Sequence, residues 1–458
     1  MAPRFVAVID IGKTNAKLAL VDLARSTELA VRKAPNPVLP GPPYPHFDVE
    51  ALWRFILEGL AALNREQPVD AVTVTTHGAA AALVGADGRL VLPVLDYEYD
   101  GPDALGAAYD AVRPPFAETG SPRLPLGLNL GAQLFWQERT FPEAFAAAAS
   151  IVPYPQYWAL RLTGIAASET TSLGCHTDLW NPAAGAPSSL VDTRGWGEKL
   201  APIVPAGDVL GPLLPDIAAR TGLAPATPVH AGIHDSNASL VPHLLARTPP
   251  FAVVSTGTWV IAMAIGVPAG TLDPQRDTLI NVDAFGRPVP SARFMGGREY
   301  AVLTEGLDGT EPSRADIDAV LEGLLLLPSV QQGSGPFPAA KARWSGDVSP
   351  EGGRRAAAVA FYLAMMTATC LDLIGARGPT VVEGPFASNA PFCRMLAAAT
   401  GRAVVAEAGG GTGTSIGAAL LTAPATPVTA PGDACFDPPG PAWTAYAQAW
   451  RDAVDRPG

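Results

Sequence analysis

Two stretches half a chain apart share one design, and that repetition limits the possible folds more than any other feature of the chain. Phe5 to Asp22, FVAVIDIGKTNAKLALVD, is two apolar, β-rich runs joined by a tip that holds a glycine. Phe251 to Ile265, FAVVSTGTWVIAMAI, repeats the design around Ser255-Thr256-Gly257-Thr258, with Gly257 in the place of Gly12, Ser255 in that of Asp10 and Thr258 in that of Lys13. Neither tip is a Walker loop, because the GxxxxGK[ST] pattern is absent and a strand follows where that motif requires a helix. The first tip does offer backbone N–H groups, the Thr14 and Asn15 side chains and the Lys17 cation, a set suited to phosphate oxygens. Taken singly, each tip reads equally well as a solvated turn. Taken together they imply a duplicated α/β architecture in which each half opens with strand, turn and strand, and both halves face one ligand across a cleft.

A chain of 458 residues exceeds one simple core, and two large domains are expected. Hydrophobic residues make up 48% and charged residues 16%, so the chain has the apolar material to bury and no sign of extended disorder. The net charge of −12 argues against a nucleic-acid partner. The four cysteines, Cys175, Cys370, Cys393 and Cys435, show neither zinc spacing nor disulfide density. No signal-type apolar segment opens the sequence and no window holds about 18 uninterrupted apolar residues. A soluble, cytoplasmic protein without a membrane partner is therefore expected.

Between the hairpins, Asp48 to Asn64 reads as an amphipathic helix behind an aspartate N-cap. Ala71 to Leu95 reads as three strands, the third after the Ala86-Asp87-Gly88 turn, with His77-Gly78 at a break where glycine lets a ligand approach the backbone. Gln133 to Ala149 reads as helical. Ser168 to Asp178, SETTSLGCHTD, is either a set of donors and acceptors for a sugar or a surface loop. Val229 to Leu240, VHAGIHDSNASL, reads as a strand ending in a turn that leaves the Asp235 carboxylate at a cleft edge, although an aspartate after a strand also serves as an N-cap. The prolines of Pro242 to Pro250 suggest the domain boundary. Farther on come the glycine turn Phe294 to Glu299 with Arg298 as a candidate cation, a long core helix from Arg354 to Ala376, and a third glycine-rich region from Thr380 to Leu421. There, backbone exposed at Gly384, Gly409, Gly410 and Gly411 is suited to a flat adenine ring and its ribose.

In this order and spacing the chain resembles the FGGY family of carbohydrate kinases, from VAVIDIGKTNAKLALVD through His77-Gly78, the LTG of residues 162–164, HDSNAS and STGTW to the Thr380–Leu421 region. The resemblance implies a duplicated ribonuclease H-like fold of the actin and hexokinase type, with two domains, 1–245 and 246–458, around a central cleft. It implies ATP with its phosphates at Gly12, Lys13, Thr14, Asn15 and Lys17 and at Thr256, Gly257 and Thr258, and adenosine on Gly384 to Asn389 and Gly409, Gly410 and Gly411. It also implies Mg²⁺ beside Asp10 and Asp235, a sugar at His77, Gly78, His234 and Asp235, and Asp235 as the catalytic base. A homodimer is compatible with the family, and the residues themselves are silent on it.

Three departures stand out: Thr75-Thr76-His77-Gly78 replaces Gln-x-His-Gly, the run Asp96-Tyr97-Glu98-Tyr99-Asp100 replaces a tryptophan, acid and arginine, and a triple glycine occupies 409–411. The first two fall on the sugar side. His234-Asp235 and Ser255-Thr256-Gly257-Thr258-Trp259 look like the branch acting on deoxy-ketohexoses such as L-rhamnulose and L-fuculose, with other ketoses and polyols as alternatives. An ATPase of the actin or chaperone class, or a non-catalytic sugar or nucleotide sensor, is the rival reading of the same fold.

Overall fold

The computed structural model describes residues 2–307, 309–346, 350–407, 413–428 and 434–456. The chain divides into two compact units, one comprising Met1–Ala246, Ile280–Pro288 and Thr412–Thr429, the other Arg247–Leu279, Val289–Gly411 and Ala430–Gly458. The division is thus not a single cut near residue 245, because two later segments return to the first unit.

The first unit is built on a sheet running, in spatial order, Val209–Pro212, Pro228–His230, Ala71–Thr76, Phe5–Ile11, Asn15–Asp22 and Thr27–Pro35, with Ile233–His234 also paired beside Ala71–Thr76. Phe5–Ile11 and Ala71–Thr76 pair in parallel, and the hairpin strands pair antiparallel. These central strands are buried on both faces, which is why they read as continuous apolar runs, whereas the outer strand Thr27–Pro35 shows the mixed exposure of an edge. Helix Val49–Glu66 covers one face with Leu52, Ile56, Leu60 and Leu63, and the Asp48 carboxylate caps it by accepting the Ala51 N–H at 2.9 Å.

In the second unit the same six places are taken by Ala434–Phe436, Val404–Glu407, Thr380–Glu383, Phe251–Thr256, Val260–Ile265 and Pro288–Phe294, with the same parallel and antiparallel relations. The duplication read from the two hairpins is therefore a duplication of sheet topology. One difference of register lies at the tips. Asp10 pairs with Lys17 and Ile11 with Ala16, but Ser255 pairs with Ile261 and Thr256 with Val260, so the second tip is one residue shorter and the lysine position becomes apolar. The core of this unit is helix Gly352–Leu373, long and apolar enough to cross a membrane but with 78% of its apolar window buried within the protein.

Several local readings change. The third strand after the Ala86-Asp87-Gly88 turn shrinks to two isolated bridges, Val84 with Leu90 and His46 with Leu95, on either side of Pro93, which has no N–H to give a ladder. The helix expected from Gln133 to Ala149 breaks at Pro142 into Leu130–Thr140 and Pro142–Ala147, and Ala148 opens a strand. Ser168–Asp178 is no surface loop, with Ser168, Glu169, Thr171, Thr177 and Asp178 all buried. Pro242 itself lies inside helix Asp235–Ala246, and the main segment of the first unit ends at Ala246, within the Pro242 to Pro250 stretch. Proline there removes the N–H that would bond the Ala238 carbonyl. At that point helix Gly413–Leu420 packs so closely that a Cβ on Gly417 would sit 1.8 Å from the Ala238 oxygen.

Candidate functional site

In the first unit, the hairpin tip is closed by Gly12 N–H donating to Asn15 O at 2.9 Å and is braced by Asn36, whose side-chain amide donates to Gly12 O at 2.9 Å and whose N–H donates to Thr14 O at 2.8 Å. Behind the tip, Lys17 lies 3.3 Å from Asp10 and 3.1 Å from Glu28. Burial raises the Asp10 pKa to about 6 against the pull of Lys17, and the charge of Asp235 pushes the same way. A mostly buried Asp10 carboxyl that feels the charge of a second carboxylate suits a divalent cation. Lys13, at the same tip, turns elsewhere: its ammonium lies 2.5 Å from Asp96 and 3.4 Å from Glu98, with the Phe47 and Tyr97 rings 5.2 and 5.3 Å away.

The parallel pairing of Ala71–Thr76 with both the first strand and Ile233–His234 brings His77, Gly78, His234 and Asp235 to one end of the sheet. His77 packs among Phe47, Tyr97 and Tyr154 at 4.9 to 5.3 Å. Burial pushes its pKa down to about 4, so the ring is neutral at pH 7. Its Nδ1 donates to Gly78 O at 2.8 Å, because a carbonyl only accepts, which leaves Nε2 a bare acceptor, buried and without a partner among the described residues. Tyr99, by contrast, turns away against Trp136.

His234 has the opposite setting. Burial opposes its charge, but Cys175 and Asp235 outweigh burial and hold its pKa up at about 10. The Asn237 amide donates to Val282 O, so its oxygen faces His234 Nδ1 at 2.6 Å, and Nε2 meets Asp235 Oδ1 at 3.1 Å. The backbone leading to Asp235 is held by buried polar groups, of which the sequence reading missed Gln156 and gave Glu169 and Thr171 only as part of a sugar-side set or a surface loop. Gln156 donates to Ala231 O and Gly232 O, both at 3.1 Å, and Thr171 accepts the His234 N–H at 3.1 Å while donating to the fully buried Glu169 at 2.6 Å.

Asp235 itself is the first residue of its helix rather than a turn residue, with its side chain 32% exposed. Oδ1 accepts the Ser236 N–H at 2.6 Å, so the capping role and an outward-facing carboxylate coexist in one residue. Gly78 makes this cluster possible, since a Cβ there would lie 2.7 Å from His234 Nε2. Gly78→Ala is expected to displace that ring, cost about 1–3 kcal/mol of stability and lower turnover more than tenfold. A thermal melt and initial rates at matched folded concentration check this, and a variant with wild-type turnover would show that the ring position is unimportant.

In the second unit, Gly257 N–H closes the tip on Trp259 O at 2.9 Å. Thr256 ties the tip to the next strand, donating its hydroxyl to Glu383 O at 2.6 Å and accepting the Phe386 N–H at 3.1 Å. Gly384, at φ +81°, lies so close that a Cβ would be 2.1 Å from Thr256 O. Asn389 caps helix Ala390–Thr400 by accepting the Phe392 N–H at 3.1 Å. The expected turn Phe294 to Glu299 opens helix Gly296–Leu303, and a Cβ on Gly297 would be 2.0 Å from Gly257 O. Thus Thr256, Gly257, Thr258 and Gly384 form one cluster, to which Gly297 must be added; its sequence signal was the Gly-Gly pair. Gly409, Gly410 and Gly411 lie outside the described residues.

A duplicated ribonuclease H-like fold with an acidic pair beside one hairpin tip and a glycine-lined second tip defines a protein of the actin and hexokinase class. The family model for the C-terminal domain of FGGY carbohydrate kinases matches residues 248–430. The crystal structure of a carbohydrate kinase from Novosphingobium aromaticivorans is 40% identical, covers 98% of this chain and 100% of its own, and superposes with a TM-score of 0.90. The chain belongs to the FGGY family of carbohydrate kinases. Among curated proteins it is 27% identical over 267 residues to an L-fuculokinase of Salmonella typhi, a match covering 56% of each chain. It is 25% identical over 252 residues to a xylulose kinase of Escherichia coli K12, covering 51% of this chain and 49% of the relative. The chain thus spans about half the length of the curated relatives it matches.

Proposed function

We propose that this protein transfers the γ-phosphate of ATP to a hydroxyl of a ketose, with Asp235 as the base that accepts the hydroxyl proton. The observation that carries this reading is the state of Asp235. His234 Nε2 and the Ser236 N–H both engage Oδ1, and among the described residues no hydrogen bond is made to Oδ2, which is left to a substrate proton. Phosphoryl transfer asks the protein mainly for positioning and charge compensation. The buried acceptor His77 Nε2 suits a second hydroxyl of the sugar, and the rings of Phe47 and Tyr97 suit an apolar edge such as the methyl of a 6-deoxy sugar. At the tip that Gly12 closes through its own N–H, the backbone N–H groups of Thr14 and Asn15 and the Lys17 ammonium would serve phosphate oxygens in the first unit. In the second unit, Thr256, Gly257 and Thr258 would serve phosphate, and Gly384 with Asn389 the nucleoside.

Mg²⁺ would be held by Asp10 and Asp235 and, when bound, neutralises phosphate charge. Pairing with Lys17 keeps the Asp10 carboxylate oriented. The setting is the cytoplasm, in keeping with four unpaired thiols.

A 6-deoxy-ketohexose is the proposed acceptor, in line with the similarity to an L-fuculokinase. ADP release measured over L-fuculose, L-rhamnulose, D-xylulose and glycerol tests it. The expected result is acceptor-dependent ADP release with the highest kcat/KM on a deoxy-ketohexose. Equal or better use of D-xylulose or glycerol would overturn the substrate and leave the kinase, whereas ATP hydrolysis indifferent to every acceptor would favour an ATPase.

A further inference from the structure

Lys13 sits on a hairpin tip of the phosphate-binding kind, yet its side chain is committed in another direction. Its ammonium is 2.5 Å from an Asp96 oxygen and 3.4 Å from Glu98 Oε2, and it lies 5.2 and 5.3 Å from the ring centroids of Phe47 and Tyr97. The lysine side chain is 16% exposed and that of Asp96 9%. Salt bridge and ring contacts together form a cage, and a lysine leaving it would strand a nearly buried carboxylate. The walls of the cage, Phe47 and Tyr97, are the same rings that pack on His77 at 4.9 and 5.3 Å. His77 in turn carries the buried Nε2 that has no partner among the described residues, and Gly78 beside it lies where a Cβ would collide with His234, the partner of Asp235.

We infer that Lys13 serves the acceptor side of the site rather than the nucleotide, and that with Asp96 and Glu98 it forms a charge filter favouring uncharged polyhydroxylated acceptors over sugar acids. The inference rests on the kinase reading given above. Its physical basis is the charge count of the cage: one ammonium faces two carboxylates, so the cluster as a whole carries net negative charge, and a carboxylate on the acceptor would be repelled. Pairing also fixes the Phe47 and Tyr97 rings, because the cation holds both faces of the cage. The signal in the sequence was the replacement of the usual tryptophan, acid and arginine by Asp96-Tyr97-Glu98-Tyr99-Asp100, whose partner, Lys13, lies more than eighty positions earlier.

The test uses the full-length protein and two variants. In Lys13→Met, ATP affinity by isothermal titration at saturating Mg²⁺ is expected to stay within about twofold, while KM for the best neutral ketose rises about tenfold or more. A tenfold loss of ATP affinity with an unchanged acceptor KM would overturn the inference. Because Lys13→Met leaves Asp96 unpaired and risks the fold, Lys13→Met/Asp96→Asn removes both charges, and the same split between the two ligands is expected of it. In Asp96→Asn/Glu98→Gln the lysine is left uncompensated, and the ratio of kcat/KM on D-gluconate to that on the neutral ketose is expected to rise about tenfold or more. An unchanged ratio would overturn the filter. A wild-type protein that bound ATP but phosphorylated no acceptor would count against the kinase reading, and the ATP titration of Lys13→Met would still decide on which side Lys13 acts.

Discussion

Asp235→Asn is expected to lower kcat by about 10²- to 10⁴-fold while ATP affinity, measured at saturating Mg²⁺, stays within about twofold. Asparagine keeps the shape of the side chain. Its oxygen still accepts from Ser236 N–H and from His234 Nε2, the contacts that hold Oδ1 at 2.6 and 3.1 Å, so the helix start and the buried ring stay in place. What disappears is the ability to take a proton, because an amide oxygen is not basic near neutral pH. The loss should therefore appear in the chemical step, and single-turnover phosphorylation compared with ATP titration separates the two. A variant with near-normal kcat would remove Asp235 from the mechanism and leave it as a helix cap.

Gly384→Ala should cost about 2–5 kcal/mol of stability in the second unit, the largest structural effect expected of any single substitution near the second tip. Two physical terms add. At φ +81° an alanine is strained whatever space surrounds it, and its Cβ would lie 2.1 Å from the Thr256 carbonyl oxygen, a backbone atom that cannot rotate away. Gly257→Ala is the matching control. Its Cβ would meet nothing nearer than Trp259 O at 3.9 Å, so stability should stay within about 0.5 kcal/mol and any defect should fall on the ATP KM. Urea melts of the two variants read this directly, and similar midpoints for both would show that the close packing of Gly384 on the tip has no energetic weight. The glycine requirement at the second tip thus belongs to Gly384 and Gly297, which press on it, rather than to Gly257 at its centre.

Particular residues show how far the sequence could be read. The hairpins at Phe5–Asp22 and Phe251–Ile265, the capped helix behind Asp48 and the strand–helix–strand pattern from Thr380 to Glu407 were legible because each is a local signal, carried by apolar runs, a cap or a glycine within a few positions. The order of these segments was enough for the family. Asp235 was legible as a candidate, yet its position at a helix start was not, because the same His-Asp-Ser-Asn run suits a turn or a first helical turn. Lys13 was placed with the phosphates on its tip alone.

What the sequence by itself determined, then, is the duplicated architecture, the two glycine-bearing tips and the inventory of acids, imidazoles and cations available to a site. Periodicity and turn chemistry act over a few residues, so they survive in a linear reading. Only the tertiary structure decided the pairings: Lys13 with Asp96, Asn36 bracing the first tip, Gln156 and Glu169 behind the Asp235 backbone, and the one-residue register difference that replaces Lys17 by an apolar partner in the second hairpin. A hydrogen bond or ion pair requires its partners within about 3–4 Å. For residues dozens of positions apart, that distance is set by how sheets and helices pack, and no property of either residue alone contains it.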